Sequence, residues 1–158
     1  MAHIKIPVNP FTEVVVHTHP DDILYALFSG PDIIKMEEVV YYTTSGFKHV
    51  VNHKDVTHIL IAENRTFALR FDDEQSALKL RDIYLNKDIQ KEFIKELHDD
   101  YDDDNTGHPL YQSTTDIFKQ IDHLYNLFEA YEINMSLYEA NYDSNNRITT
   151  WDKIENDD

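Results

Sequence analysis

The chain has 158 residues, 30 acidic side chains against 14 basic ones and no cysteine, which gives a formal net charge of −16. A disulfide scaffold, thiol catalysis and cysteine-ligated zinc are thereby excluded, and the length predicts one domain over residues 1–158 that buries roughly 70% of its unfolded surface. A surface this negative is repelled by phosphate backbones and anionic lipids, so basic proteins are the expected partners rather than nucleic acid or a membrane.

The charge is unevenly placed. Residues 1–80 hold 11 acids and 7 bases, whereas residues 81–158 hold 19 acids and 7 bases. The first eight residues contain no signal-like apolar core, and no run approaches the 18 or more apolar residues of a membrane helix, so a soluble cytoplasmic protein is expected.

Glu13 to Val16 is a β-type run. It leads to Pro20-Asp21-Asp22, whose early proline and first-turn acids predict a short helix over 20–29 that Gly30-Pro31 ends. Val39–Thr44, Phe47–Asn52, Thr57–Ala62 and Thr66–Phe71 are rich in β-branched and aromatic residues, with Ser45-Gly46 and Asn64-Arg65 at the turns. They predict an antiparallel meander of four strands, five with the N-terminal one.

Asp72-Asp73-Glu74-Gln75 is a capping signal for a helix from Asp73 to about Leu97. Its apolar face turns: Ala77, Leu80 and Tyr84 form one stripe, and Ile89, Phe93 and Leu97 another rotated by about 120°, which predicts a break near Asn86-Lys87. His98 to Leu110 reads as an acidic loop. Ser113 with Asp116 then opens the longest predicted helix, about Thr114 to Ala140, where Ile117, Ile121, Leu124, Leu127, Phe128, Tyr131, Met135 and Tyr138 share an arc of about 120°. Residues 141–158 read as a polar tail, with Ile148 to Trp151 its one docking stretch. The expected class is α+β: 1–72 mainly β with one short helix, 73–140 mainly helical.

Few strings carry chemistry. Three glycines, at 30, 46 and 107, exclude a Gly-rich phosphate loop, and there is no Gly-x-Ser-x-Gly elbow. His49, His53 and His58 lie on or beside a hairpin and read as a solvated edge. Asp102-x-Asp104-x-Thr106-Gly107 resembles the first half of an EF-hand loop, but its twelfth position is Ser113 rather than a bidentate Glu; Asp143-x-Asn145 is a weaker match.

The sharpest string is His17-Thr18-His19-Pro20 followed by Ser29-Gly30-Pro31-Asp32. Two histidines one residue apart on a strand both reach one Zn²⁺, and a later carboxylate completes such a set. The string resembles the His-x-His-Pro … Ser-x-x-Asp signature of JAMM-type metalloproteases, with eight residues between Pro20 and Ser29, a longer interval than the family's. The resemblance implies zinc held by His17, His19 and Asp32, and Glu13, the sole upstream carboxylate, as general base.

The second candidate is a surface. On the predicted long helix, Asp122, Glu129, Glu132 and Glu139 interleave with Phe118 and Tyr125 on one face, and carboxylates at helical spacing lie roughly 5–10 Å apart, comparable with phosphates along a strand. Together with Asp99, Asp100, Asp102, Asp103 and Asp104 they predict a contact surface for a basic protein. In size, acidity and lack of catalytic motifs the chain is similar to small phage anti-defence inhibitors, anti-CRISPR proteins among them, and it shares these traits with toxin-immunity proteins. That likeness implies an inhibitor of a basic nuclease that works without turnover and without a cofactor. Of the two, the surface is the expected function and the zinc hydrolase its alternative.

Overall fold

A computed structural model describes residues 14–19, 27–44, 53–62, 65–103 and 117–156. They form an α+β structure with a five-stranded sheet in the order β1 (Val14–His19), β2 (Thr57–Ala62), β3 (Arg65–Phe71), β4 (Met135–Tyr142) and β5 (Ile148–Ile154). The strands β2 to β5 are an antiparallel meander, but β1 pairs with β2 in parallel, so the sheet is mixed rather than purely antiparallel. A parallel pair needs a long crossover. The chain from β1 to β2 includes α1 (Gly30–Thr44) and a single 3-10 turn, His53–Asp55.

Helix α1 corrects two expectations. Gly30-Pro31 begins a helix instead of ending one, because Ser29 and Asp32 cap each other: the Ser29 N–H and hydroxyl each donate to Asp32 Oδ2 at 2.8 Å, and the Asp32 N–H reaches Ser29 Oγ at 3.4 Å. Of the helix expected over 20–29, residues 20–26 lie outside the described residues, and Leu27 to Ser29 are not helical. Val39–Thr44, expected as a strand, is helical: Ile33, Ile34 and Met36 are buried at helical spacing, and tertiary burial overrides a β-rich local composition. The expected strand Phe47–Asn52 lies outside the described residues.

The predicted break is present. Helix α2 (Glu74–Leu85) ends at Asn86, whose side chain accepts from the N–H groups of Asp88 and Ile89 and so caps α3 (Lys87–Asp103). The α3 helix runs beyond Leu97, so Asp99, Asp100, Asp102 and Asp103 belong to its last turns and not to a loop; Asp104 lies outside the described residues.

Helix α4 covers Ile117–Ala130 and stops well short of 140. The Ile133 N–H bonds Phe128 O at 2.8 Å, the Glu132 N–H bonds Glu129 O at 2.9 Å, and Glu132 takes φ 54°, which is a Schellman end built without glycine. Met135 to Ala140 is therefore strand, and the expected polar tail forms the end of β4 and the edge strand β5.

One core joins these elements. Val15, Leu60, Phe67, Leu69, Phe71, Met135 and Leu137 from the sheet meet Phe28, Ile33, Leu80, Phe93, Leu97, Leu124 and Phe128. Each such side chain contributes about 1.5–3 kcal/mol on full burial. Among the described residues no helix is long and apolar enough to cross a membrane.

Helices α1 and α3 touch where α1 begins. A Cβ at Gly30 would lie 3.0 Å from the Ile94 Cα and 2.8 Å from its Cγ1, and the Gly30 N–H donates to His98 Nε2 at 3.1 Å. Gly30→Ala is therefore expected to lower stability by about 1–3 kcal/mol, since the contact is with backbone as well as side chain. Chemical denaturation measures this, and an unchanged midpoint would contradict the close approach.

Candidate metal centre

Strand periodicity sets the first two residues. Along β1 the burial alternates, with Val15, His17 and His19 inward and Val14, Val16 and Thr18 outward. His19 is 6% exposed, and both imidazoles project from the end of the strand toward the start of α1. The Ser29 cap holds Asp32 in the first turn of that helix, where its carboxylate meets them.

The three groups converge. His17 Nε2 lies 3.2 Å from Asp32 Oδ1, His19 Nε2 lies 3.1 Å from Asp32 Oδ2, and the two Nε2 atoms are 3.0 Å apart. Taken one ligand atom per residue, the set lies within 4.8 Å, the one such grouping among the described residues. A tetrahedral zinc with ligands at about 2.0–2.1 Å holds its donors about 3.3–3.4 Å apart; here each imidazole meets a different oxygen of Asp32, so the carboxylate lies across the pair at separations close to that value. The donor set is also chemically apt, with two imidazoles and one carboxylate as in three-ligand catalytic zinc sites. His17 and Asp32 side chains are each 17% exposed, so the cluster is not fully enclosed.

Electrostatics prepares the carboxylate. Burial by itself would raise Asp32, but hydrogen bonds from His17 and His19 and their positive charge outweigh it and hold the group well below the usual carboxylate range. It is an anion at neutral pH, as ligation requires.

A fourth residue joins the cluster. His58 on β2 is 2% exposed, and its Nε2 lies 2.9 Å from His17 Nδ1. Phe28 packs edge-on against it with ring centroids 5.3 Å apart. Burial first, and then the positive charge of His17, push the His58 imidazole down to about 4, so it is neutral at pH 7. This corrects the expectation of a solvated edge for His58. The signal was in the sequence as alternation: His58, Leu60 and Ala62 share the inward face of β2. His49 lies outside the described residues, and His53 sits in the 3-10 turn. Glu13 also lies outside the described residues.

The acidic set is spread over several elements and not along one helix. Asp122 and Glu129 are exposed on α4, and Phe118 beside them is 68% exposed with Arg65 over its ring. Glu132 lies in the turn after α4 and pairs with Lys79 at 3.0 Å; Glu139 is on β4 and pairs with Arg65 at 3.5 Å. On α3, Asp99 pairs with Lys95, and Asp100 lies 3.8 Å from His123. Tyr125, Glu129 and Glu132 line an open cleft of about 360 Å³ with Lys153, on residues none of which belongs to the histidine cluster. Of the EF-hand-like strings, Asp143 Oδ1 accepts from the N–H groups of Asn145 and Arg147 in the β4–β5 turn.

No protein-family model, curated protein or solved structure matches the chain.

Tyr125 is half-buried, and its hydroxyl works inside the fold. It donates to Ile154 O at 2.6 Å and accepts from the Leu137 N–H at 3.1 Å, tying α4 to both C-terminal strands. Tyr125→Phe is expected to cost about 1–2 kcal/mol, because it leaves the Leu137 N–H and Ile154 carbonyl short of a partner. Thermal or chemical denaturation reads this, and wild-type stability in the variant would return Tyr125 to the contact surface.

Proposed function

We propose that this protein is a zinc-dependent hydrolase of the JAMM metalloprotease type, with His17, His19 and Asp32 as the metal ligands. The observation that carries the reading is the convergence of two imidazole Nε2 atoms and one ionised carboxylate at 3.0–3.2 Å, from a strand end and a helix start that the core holds together. Bound zinc supplies Lewis-acid activation of water for attack on an amide carbonyl. The chain's own groups do the rest. Asp32 balances the positive charge, the Ser29 hydroxyl and N–H fix its Oδ2, and the His17 and Asp32 side chains each keep 17% of their surface exposed. Glu13, four residues before His17, is the proposed general base.

The metal site is preferred to the acidic surface because the carboxylate row expected on one helix is divided among a helix, a turn and a strand. Purified protein is expected to carry or take up one zinc per chain by elemental analysis and to gain thermal stability with it, by about 2.7 kcal/mol at a hundredfold excess over Kd. His17→Ala/His19→Ala loses both effects. Wild-type protein with neither uptake nor a thermal shift would end this reading.

The inhibitor reading, with a toxin-immunity role as its relative, is retained as a second proposal because Phe118 stands 68% exposed on the helix that bears Asp122 and Glu129, and Glu129 and Glu132 line an open cleft at the far end of that helix. It predicts salt-sensitive binding to a basic nuclease, weakened at least tenfold when Asp122, Glu129 and Glu132 become lysine. Binding measured from low to physiological salt is the check; equal affinity of the triple variant would remove this surface from consideration.

A further inference from the structure

The sheet register places His58 where an apolar residue belongs. Val15, His58, Leu69 and Leu137 lie opposite one another across β1, β2, β3 and β4, and the other three are buried aliphatic side chains of the core. Burying an imidazole in such a row is costly unless its polar atoms are used. Among the described residues, His58 Nδ1 has no hydrogen-bond partner within geometric limits, Nε2 lies 2.9 Å from His17 Nδ1, and the Asp32 backbone carbonyl also acts on the ring. Phe28 packs at 5.3 Å on the ring of His58 and at 6.2 Å on that of His17, so both imidazoles are held by the same phenyl group.

We propose that His58 is a positioning residue for the metal centre, which sets the orientation and tautomer of His17 so that its Nε2 lone pair faces His19 and Asp32. The inference rests on the zinc reading above.

The argument is one of proton accounting. A neutral imidazole carries a single ring proton. For His17 Nε2 to ligate a cation, that proton sits on Nδ1, and Nδ1–H then needs an acceptor; metal-bound histidines almost always have one in a carboxylate, a carbonyl or a water. Here the group at hydrogen-bond distance from Nδ1 is His58 Nε2. His58 accepts there and carries its own proton on Nδ1. If the pair were reversed, with His58 Nε2–H donating to His17 Nδ1, the His17 proton would lie on Nε2, between His19 and Asp32, where it closes the position a cation needs. An imidazole takes either role by moving one proton, so the same residue serves the metal-free and metal-bound states. An aliphatic side chain in that row would pack equally well and fix neither state.

The test compares Zn²⁺ affinity, by competition with a chromophoric chelator, in the wild type, His58→Leu and His58→Gln, with circular dichroism and metal-free melting recorded for each. The wild type is expected to bind, His58→Leu to bind 10–100-fold more weakly while keeping its fold, and His58→Gln, which presents an acceptor oxygen, to recover most of the loss. Imidazole ¹⁵N NMR of the zinc-loaded wild type supplies a readout that does not depend on any variant folding: the proton is expected on His17 Nδ1, with His58 Nε2 bare. Equal affinity in His58→Leu, or a proton on His58 Nε2 in the loaded wild type, overturns the positioning role and leaves the metal site standing. A wild type that binds no Zn²⁺ overturns both.

Discussion

The Asp32 carboxylate is the joint between the two halves of the crossover. It accepts from the Ser29 N–H and hydroxyl within its own helix start, and it meets His17 and His19 from β1. A buried anion is unfavourable without such partners, and truncating one member of a buried charge pair typically costs several kcal/mol. The same few bonds therefore cap α1, anchor the end of β1 and assemble the proposed ligand set. Local capping chemistry and site geometry are one arrangement here.

Around that joint the fold excludes slack. Phe28 seats two imidazoles, the Gly30 backbone lies against Ile94, and His98 takes the Gly30 N–H, so α3 braces the helix start that presents Asp32. The parallel pairing of β1 with β2 brings His58 beneath His17. In the antiparallel alternative a hairpin would join the strands directly, with no helix start returned to the end of β1. Rigid elements place ligands more reproducibly than loops, and all four polar side chains of this cluster stand on strands or a helix.

The negative charge has a different standing from the one the sequence suggested. The row expected along one long helix is interrupted because α4 ends at Ala130, and two of its members, Glu132 and Glu139, sit in ion pairs with Lys79 and Arg65. Phe118, Asp122 and Glu129 are exposed on α4, and Glu132 is exposed just beyond its end. The helix end was missed for a physical reason. Glu132 adopts the left-handed conformation that glycine ordinarily marks, and Met135 and Tyr138 fall on the apolar arc of a 3.6-residue wheel although they belong to a strand. The Val-Val-Tyr-Tyr-Thr-Thr stretch misled in the opposite sense, through β propensity that burial of Ile33, Ile34 and Met36 overcame.

Wherever the relevant physics is local, the sequence alone was decisive. The spacing of His17 and His19 places both on one face of a strand, Asn86 divides α2 from α3 where the apolar stripe turns, and β-branched and aromatic content identifies β2 and β3. What required the tertiary structure is every relation across the chain. The parallel register of β1 on β2, the meeting of Asp32 with two histidines and the placement of His58 in the core row depend on how a crossover helix packs. Periodicity reports which face a residue takes on its own element, but not which element that face will meet.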